Sequence, residues 1–237
     1  MSTVIATSVL PDSTANDTLT IGATGDSVVI SGDSLNLNTL QDAGGNTTFV
    51  SDGSGSITST GLPGAMKFIS SQTASGASSV SFTSGLDSTY DVYVFKFINI
   101  NPASTANFSF QAGSGYNTTM TTTLFNALHY ESDITSALNY VASWDQAQGT
   151  AYQILMGDLG AESDECGVGE LHLFNPSSTT YVKNFYSTCQ KYDNGNLSVN
   201  DFIAGYFNTT SAITQVAFKM SSGNFDGTIA LYGISKT

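Results

Sequence analysis

Short runs in which hydrophobic and polar residues alternate recur along most of the chain. Alternation with a period of two places successive side chains on opposite faces of a β-strand. Clusters of Gly, Asn, Asp and Ser separate the runs, as turns separate the strands of β-sandwiches and barrels. The pattern therefore predicts an all-β sandwich or barrel with strands at residues 65–70, 79–83, 90–100, 107–111, 122–130, 151–156, 169–174, 181–186, 213–220 and 228–234.

The most pronounced run, residues 90–100, reads YDVYVFKFINI. Hydrophobic residues occupy both odd and even positions of this run, so both faces of the strand are apolar near its middle. The sequence predicts a central strand with Val92, Val94, Ile98 and Ile100 on one face and Tyr93, Phe95 and Phe97 on the other.

One segment departs from the alternation. Residues 131–141 read ESDITSALNYV and carry Ile134, Leu138 and Val141 at a spacing that suits one face of a helix. The sequence predicts a short helix or turn in this segment.

The first sixty residues differ from the rest. Residues 17–37 read DTLTIGATGDSVVISGDSLNL, in which three short alternating strands carry Leu19/Ile21, Val28/Ile30 and Leu35/Leu37. Such short strands are too small to be stable as an isolated sheet in one chain, so we expect identical copies of the chain to intertwine here. A polar leader without a sheet of its own is the alternative.

A turn-rich stretch, residues 42–64, links this part to the remainder of the chain. Its glycines and Pro63 indicate a boundary. The predicted organisation is an N-terminal β-repeat segment for anchoring and oligomerisation at residues 1–62, followed by a β-sandwich domain at residues 63–237.

Neutral polar residues dominate the composition. The 237 residues include 33 Ser, 30 Thr and 17 Asn but only 6 Lys plus Arg and 19 Asp plus Glu, giving a net charge of −13. So few cations on so acidic a chain argue against binding to nucleic acid or to anionic membranes. No stretch reaches the length of a membrane-spanning helix, whereas 40% hydrophobic residues suffice for a packed core.

The same composition leaves the edges of the sheets poorly protected. Native sheets protect their edge strands with Lys, Pro or inward-pointing charges, and this chain has 6 Lys and 4 Pro. We expect the edges to be covered by closure of the sheet, by a partner subunit or by a larger assembly.

Motifs for catalysis are absent from the sequence. A hydrolytic triad needs an imidazole, and His129 and His172 are the two histidines; each is expected to face solvent or a satisfied interface. The sequence thus predicts a protein that is not an enzyme and needs no cofactor. Glycan cleavage, which needs only two carboxylates, stays open as an alternative.

Aromatic and amide residues in loops are the candidates for ligand binding. Trp144, followed by Asp145 and Gln146, could stack on a sugar ring while the polar groups bind hydroxyls, although a core-capping role is the alternative for the indole. Tyr116 and Tyr192 lie in loops rich in Ser, Gly and Asn, a composition typical of binding loops. We take these five residues as candidates for contacts with a glycan or a protein partner.

The densest acidic segment, GDLGAESDECGVGE, is a candidate metal site. Oxygen ligands in a glycine-rich loop could hold Ca²⁺, although the spacing does not match an EF-hand and a solvated acidic turn is the alternative. Cys166 and Cys189 lack the spacing of a metal site, and either two isolated thiols or one disulfide is compatible with the sequence. The candidate ligands are Asp158, Glu162, Asp164 and Glu165.

Several segments resemble bacteriophage proteins. The opening MSTVI, followed by DTLTIGATGDSVVISG and TTFVSDGSGSITS, resembles the N-terminal part of tail-fibre-like proteins of marine and cyanobacterial phages. The later segments VSFTSGLDSTYDVYVFKFINI, GELHLFNPSSTTYVKNF and GYFNTTSAITQVAFKMSSGNFDGTIALYGI are similar to a β-sandwich module of virion proteins from such phages. The resemblance implies a virion protein assembled in the host cytoplasm, a homotrimer, and an outer jelly-roll-like domain.

Together these observations predict a non-enzymatic phage virion structural protein. The first hypothesis is a short trimeric tail fibre whose sandwich faces outward and binds a host cell-surface glycan or another virion protein. A capsid decoration or cement protein is the second hypothesis, and a glycan-degrading tailspike-type enzyme is the third.

Overall fold

The computed structural model describes residues 39–41, 47–51, 57–59 and 66–234. The chain divides into two compact units, residues 1–62 and 63–237, which are treated separately below. The three short strands predicted within residues 17–37 lie outside the described residues. Intertwining of these strands in a trimer therefore stays a prediction.

The described part of the N-terminal unit is a small antiparallel sheet. Its strands are β1 (Thr39–Gln41), β2 (Thr47–Ser51) and β3 (Ile57–Ser59), arranged in that order. Leu40 lies opposite Phe49, and Val50 lies opposite Thr58. The stretch that the sequence marked as a turn-rich link thus contains two of these strands, because TTFVS and ITS retain alternation between the glycine-rich turns.

The second unit is all-β, as predicted, and every strand pairing in its described part is antiparallel. A short 3-10 turn spans Ala142–Trp144. No helix among the described residues has the length and apolar character needed to cross a membrane. The strands are β4 (Met66–Ala77), β5 (Ser79–Phe82), β6 (Val92–Pro102), β7 (Ala106–Ala112), β8 (Met120–Tyr130), β9 (Ser136–Tyr140), β10 (Ala147–Gly149), β11 (Gln153–Leu159), β12 (Gly167–Phe174), β13 (Lys183–Asp193), β14 (Leu197–Phe207), β15 (Val216–Met220) and β16 (Phe225–Ile234).

These strands form two layers. The longer layer runs β4-β16-β6-β12-β13-β14-β8, with β9 and β10 also paired to β8, and the shorter layer runs β11-β7-β15-β5. The layers join where Leu159 of β11 pairs with Asp193 of β13, and again where the chain passes from β4 into β5. This arrangement confirms the predicted sandwich-like class.

Phenylalanine rings fill the space between the layers. The Phe218 ring, from the shorter layer, lies 5.2 Å from that of Phe95 and 5.3 Å from that of Phe97 in the longer layer, both in edge-to-face geometry. All three side chains are buried. Burial of so much aromatic surface is the main stabilising contribution to this fold. The other core rings are Phe82, Phe108, Phe110, Phe185, Phe207 and Phe225.

Strand β6 is central, as its two apolar faces predicted, since it pairs with β16 on one side and β12 on the other. The predicted face of Ile100 is wrong. Asn99 has a φ of +51°, and the ladder shifts register beside it. This bulge turns Ile100 into the core, where it is fully buried, whereas Ile98 stays 46% exposed.

The segment predicted as a short helix or turn is a turn followed by a strand. The turn after Tyr130 includes Asp133, whose N–H donates to the Tyr130 carbonyl over 3.0 Å. Strand β9 then pairs with β8, so a helix in this segment is a wrong prediction. The helical spacing of Ile134 and Leu138 does not correspond to a buried face, because these two residues are 76% and 73% exposed to solvent. Pairing with the available edge of β8 outweighs the local pattern.

Candidate functional site

The long strands present two chemically different faces. In β13, alternate residues from Lys183 to Asp193 point into the core and are buried. The intervening residues, among them Tyr186 and Thr188, lie on the outer face of the longer layer, opposite to the face that packs against the shorter layer. The same alternation applies to β14, so the two strands build core and outer surface together.

A groove crosses this outer face at β8, β13 and β14. It consists of two adjoining depressions of about 480 and 200 Å³ that share Thr123, Tyr186 and Ala204. Its walls combine large aromatic rings with small hydroxyl and amide groups. The aromatic members are Phe125, Phe174, Tyr186, Phe202 and Tyr206, and the polar ones include Thr121, Thr123, Asn184 and Thr188.

Two small residues of β14 form the floor of the groove. Ala204 lies between Tyr186 of β13 and Thr123 of β8 in the strand register. Gly205 follows it, and a Cβ atom there would lie 2.6 Å from the Thr121 carbonyl oxygen. Only glycine lets the strands approach this closely, so the close packing of β14 against β8 dictates the residue at this position.

One wall of the groove is a stack of rings. The Tyr186 ring lies 4.6 Å from the His172 imidazole with an interplanar angle of 13°, and 5.7 Å from the Phe174 ring. The imidazole covers the face of Tyr186 that is turned toward β12. The other face is turned toward Ala204 on β14, and Tyr186 is 43% exposed. The stack thus presents one open ring face to the groove.

A chain of polar contacts fixes this stack. His172 Nε2 lies 2.9 Å from Glu170 Oε1, and Lys96 Nζ donates to Glu170 Oε2 over 2.8 Å. The hydrogen bond from Lys96, followed by the contact with His172, lowers the pKa of Glu170 below its usual value. Three neighbouring strands, β6, β12 and β13, therefore hold the Tyr186 ring in place.

One end of the groove is formed by a second pair of rings. Phe125 of β8 and Phe202 of β14 are opposite each other in the register, with centroids 4.9 Å apart and planes within 8° of parallel. Phe125 is 43% exposed. The groove thus carries the Tyr186 stack near its middle and the Phe125–Phe202 stack at one end, with hydroxyl groups along its length.

The structure brings Trp144, Asp145 and Gln146 together in one loop, and none of the three lines the groove. The Trp144 indole packs against the core and covers Gly157, where even a Cβ atom would overlap the ring. Asp145 accepts a hydrogen bond from the Tyr140 hydroxyl, and the Gln146 main chain pairs with Thr122. This geometry of Trp144 corresponds to the alternative in which the indole caps the core.

Tyr116 and Tyr192 occupy two further places. Tyr116 lies in the turn after β7, with a φ of +50°. Tyr192 lies on the outer face near the end of β13, and its hydroxyl donates to Asn196 Oδ1 over 3.0 Å. It lines a separate depression of about 360 Å³ with His129 and Glu131. The five predicted binding residues therefore fall into three regions and do not form one site.

The predicted metal ligands do not converge. Asp158, Glu162 and Asp164 are exposed, whereas Glu165 is buried and its carboxylate accepts the Glu162 N–H over 2.7 Å. The acidic loop thus closes on itself through a carboxylate–backbone hydrogen bond. Within the described ranges, no group of three or more His, Cys, Asp or Glu residues is placed to hold a metal ion.

Both cysteines are free thiols. The Tyr192 N–H donates to the Cys166 carbonyl, and Cys189 lies three residues earlier on β13. At about 3.3 Å per residue this offset separates the cysteines by about 10 Å. A disulfide needs Cα atoms within about 7 Å, so the fold keeps the thiols apart. Burial raises the pKa of Cys189 to about 12, which leaves that thiol protonated and unreactive.

A polar cluster is buried on the inner face, behind the groove strands. Lys191 donates to the Gly157 carbonyl and to Asp193, and Asn126 donates to Asp201 Oδ1 over 3.3 Å. Asp201 is fully buried, and its Oδ2 has no hydrogen-bond partner among the described residues. Desolvation raises the pKa of Asp201 to about 6, although Lys191 opposes the shift.

The groove was not predicted from the sequence. Strand β14, which supplies its floor together with Phe202 and Tyr206, lies outside the predicted strands, and Phe125, Phe174 and Tyr186 fall in predicted strands without a predicted function. The sequence does contain a signal for the residues of β14. In DFIAGYF, Phe202, Ala204 and Tyr206 alternate with the residues of the inner face and therefore share the outer face. Recognising these outer-face residues as a site also requires the register of β14 with β8 and β13.

Comparison of the sequence with models of known protein families and with curated proteins finds no match. Neither comparison therefore assigns a function to the chain.

Proposed function

We propose that this chain is a non-enzymatic phage virion structural protein, a short trimeric tail fibre whose sandwich domain binds a host cell-surface glycan in the outer-face groove. The observation that carries the binding part is the Tyr186 ring, held by a stack on one face and open over Ala204 on the other.

The chemistry of the groove suits a sugar ring. One side of a pyranose presents C–H groups that pack against an aromatic face, and its rim carries hydroxyls that need hydrogen-bond partners. Tyr186 and Tyr206 supply aromatic surface, while Thr121, Thr123 and Asn184 supply hydroxyl and amide groups along the same groove. Ligand sites commonly combine apolar walls with a few such polar groups.

The groove lacks the groups that cleavage of a glycan requires. Glycosidases use two carboxyl groups about 5 to 9.5 Å apart, on either side of the scissile bond. None of the described residues that line the groove is Asp or Glu. This favours a binding role over the tailspike-type alternative.

An exposed apolar strand supports the trimer. Strand β9 pairs with β8 alone among the described strands, and its Leu138 and Tyr140 are 73% and 64% exposed. An edge of this kind is prone to association, and natural proteins cover or charge such edges. A second copy of the chain would cover β9, which is what a trimeric virion protein supplies.

The binding proposal is tested with Tyr186→Ala. Immobilised glycans, including host-derived polysaccharide, are probed with the full chain, and we expect Tyr186→Ala to weaken binding by about tenfold or more. Tyr232→Ala is the matched control, because Tyr232 is a part-exposed tyrosine on β16 that lies outside the groove lining. Absence of glycan binding, or equal binding by both variants, contradicts the proposal; selective binding to a purified virion protein would favour the alternative in which the sandwich binds another virion protein.

The assembly proposal is tested by mass in solution. Light scattering is expected to give three times the chain mass of 24.8 kDa, and deletion of residues 1–62 is expected to weaken that trimer. A monomer at all concentrations would contradict the fibre. Copy number in purified particles separates the fibre from the decoration alternative, since a decoration protein coats the whole capsid.

A further inference from the structure

We infer that the groove binds an internal segment of a neutral, linear glycan, about three sugar rings long, laid along strands β13 and β14. This inference rests on the proposed glycan binding and specifies the class of ligand. Three features of the groove carry it: its length, its open form and the absence of charged groups from its lining.

The length follows from the strand register. The lining covers residues 184–188 of β13 and 202–206 of β14, so the groove runs along the strands. At about 3.3 Å per residue it is about 13 Å long. Consecutive sugars of a linear glycan are joined through one oxygen and repeat by about the length of one ring, roughly one and a half strand residues, so this length holds about three of them.

The position of the aromatic rings agrees with that length. Phe174 and Tyr206 lie toward one end, Tyr186 lies in the middle, and Phe125 and Phe202 lie toward the other end. Each third of the groove thus offers an aromatic surface to one sugar ring. Removal of one ring should weaken binding without abolishing the contacts at the other two positions.

The open form of the groove favours an internal segment of a glycan over the terminal sugar of a glycan. Both depressions open to solvent on the outer face of the sheet, and they adjoin each other through Thr123, Tyr186 and Ala204. A closed pocket would select a terminal sugar, because its wall stops the chain. A continuous open groove lets the glycan extend beyond both ends.

The electrostatics select a neutral glycan. None of the described lining residues carries a charge, so nothing in the groove pairs with a sulfate or a carboxylate. Glu170, opposite Thr188 in the register, is already paired with Lys96. The net charge of −13 further disfavours an acidic polysaccharide.

A series of defined oligosaccharides tests the inference. The full chain is titrated with neutral linear gluco-, xylo-, manno- and galacto-oligosaccharides, from monosaccharides to hexasaccharides, with alginate and sulfated galactan oligosaccharides as charged counterparts. We expect affinity to rise up to the trisaccharide and then level off, with the charged counterparts bound at least about tenfold more weakly. Preference for a charged glycan, or full affinity for a monosaccharide, overturns the inference but leaves glycan binding intact.

Ala204→Leu tests the location. A leucine there would fill the floor between Tyr186 and Thr123, and we expect the trisaccharide affinity to fall by about tenfold or more. Ser198→Leu is the control on the same strand and face, about 20 Å away. Chain-length dependence that survives Ala204→Leu unchanged overturns the placement. If no member of the series binds the unaltered chain, the proposed glycan binding itself fails.

Discussion

The inner and outer faces of the longer layer use the same residue types for different purposes. On the inner face, Phe95 and Phe97 meet Phe218 edge to face and are buried from all sides. On the outer face, Tyr186 and Phe125 lie in parallel stacks and remain 43% exposed. Phe218 also stacks on Phe108 in the core, so burial and not ring geometry separates the two faces: the inner rings have no open surface, whereas the outer stacks hold a ring in place and leave surface for a ligand.

The carboxyl groups of the two faces differ in the same way. Asp201, on the inner face, is fully buried, and desolvation raises its pKa to about 6. Glu170, on the outer face, is part-exposed, and hydrogen bonds from Lys96 and His172 lower its pKa. Ionisation thus costs stability on the inner face and adds to stability on the outer face, so pH distinguishes the two faces.

The largest expected difference lies between two aromatic truncations. Phe218→Ala removes the ring that contacts five other core rings, and we expect it to lower the free energy of unfolding by about 3 to 5 kcal/mol. Tyr186→Ala, on the outer face, should cost less than about 1.5 kcal/mol. Urea unfolding of both variants measures the contrast, and equal losses would mean that the outer stack is part of the core.

The next contrast concerns the buried carboxyl. A rise in the pKa of Asp201 from 3.8 to about 6 makes the folded state bind its proton more tightly than the unfolded state. Below about pH 3 both states are protonated and the carboxyl costs nothing; the penalty grows as pH rises from about 3 to about 6 and then stays constant, at up to about 3 kcal/mol. We therefore expect Asp201→Asn to stabilise the protein above pH 6 and to have no such effect at pH 3.

Unfolding by urea across this pH range tests the prediction against a matched variant. Asp164→Asn changes an exposed carboxyl, and we expect it to alter stability by less than about 0.5 kcal/mol. If Asp201→Asn destabilises the protein at pH 8, the interactions of the Asp201 carboxylate with Asn126 and Lys191 stabilise the folded state by more than the burial of its charge destabilises it.

The alternation of hydrophobic and polar residues predicts the residues on one face of a strand better than it predicts those on both faces. Strand β6 was recognised because both of its phases are apolar, but the bulge at Asn99 then misplaced Ile100. Strand β14 was missed because Asp201 and Gly205 interrupt its inner phase. The local sequence pattern explains neither interruption. The buried carboxyl of Asp201 is accommodated by the polar cluster around it, and the glycine is required by the close approach of β8.

The candidate site shows a similar limit of local reasoning. Trp144 was selected for its residue type, yet its ring covers Gly157 at the core. Tyr186 falls in a predicted strand and Phe202 in none, and only the pairing of β13 with β14 and of β14 with β8 places them around one groove. Residue chemistry can be taken from sequence, but a surface shared by three strands depends on their register.

The smallest expected effect is that of the outer carboxyl. Glu170→Gln removes the charge that pairs with Lys96, and because both side chains are more than one third exposed, solvent screens the pair. We expect a loss of less than about 1 kcal/mol at pH 7, which shrinks in high salt. Since the pKa of Glu170 is lowered in the folded state, the stabilisation is present above about pH 4.5 and disappears as pH falls through the lowered value. This pH dependence is opposite in sign to that of Asp201, and urea unfolding at pH 3 and pH 7 measures it. A loss that persists at pH 3 would mean that the neutral glutamic acid, through its contact with His172, supports the Tyr186 stack without its charge.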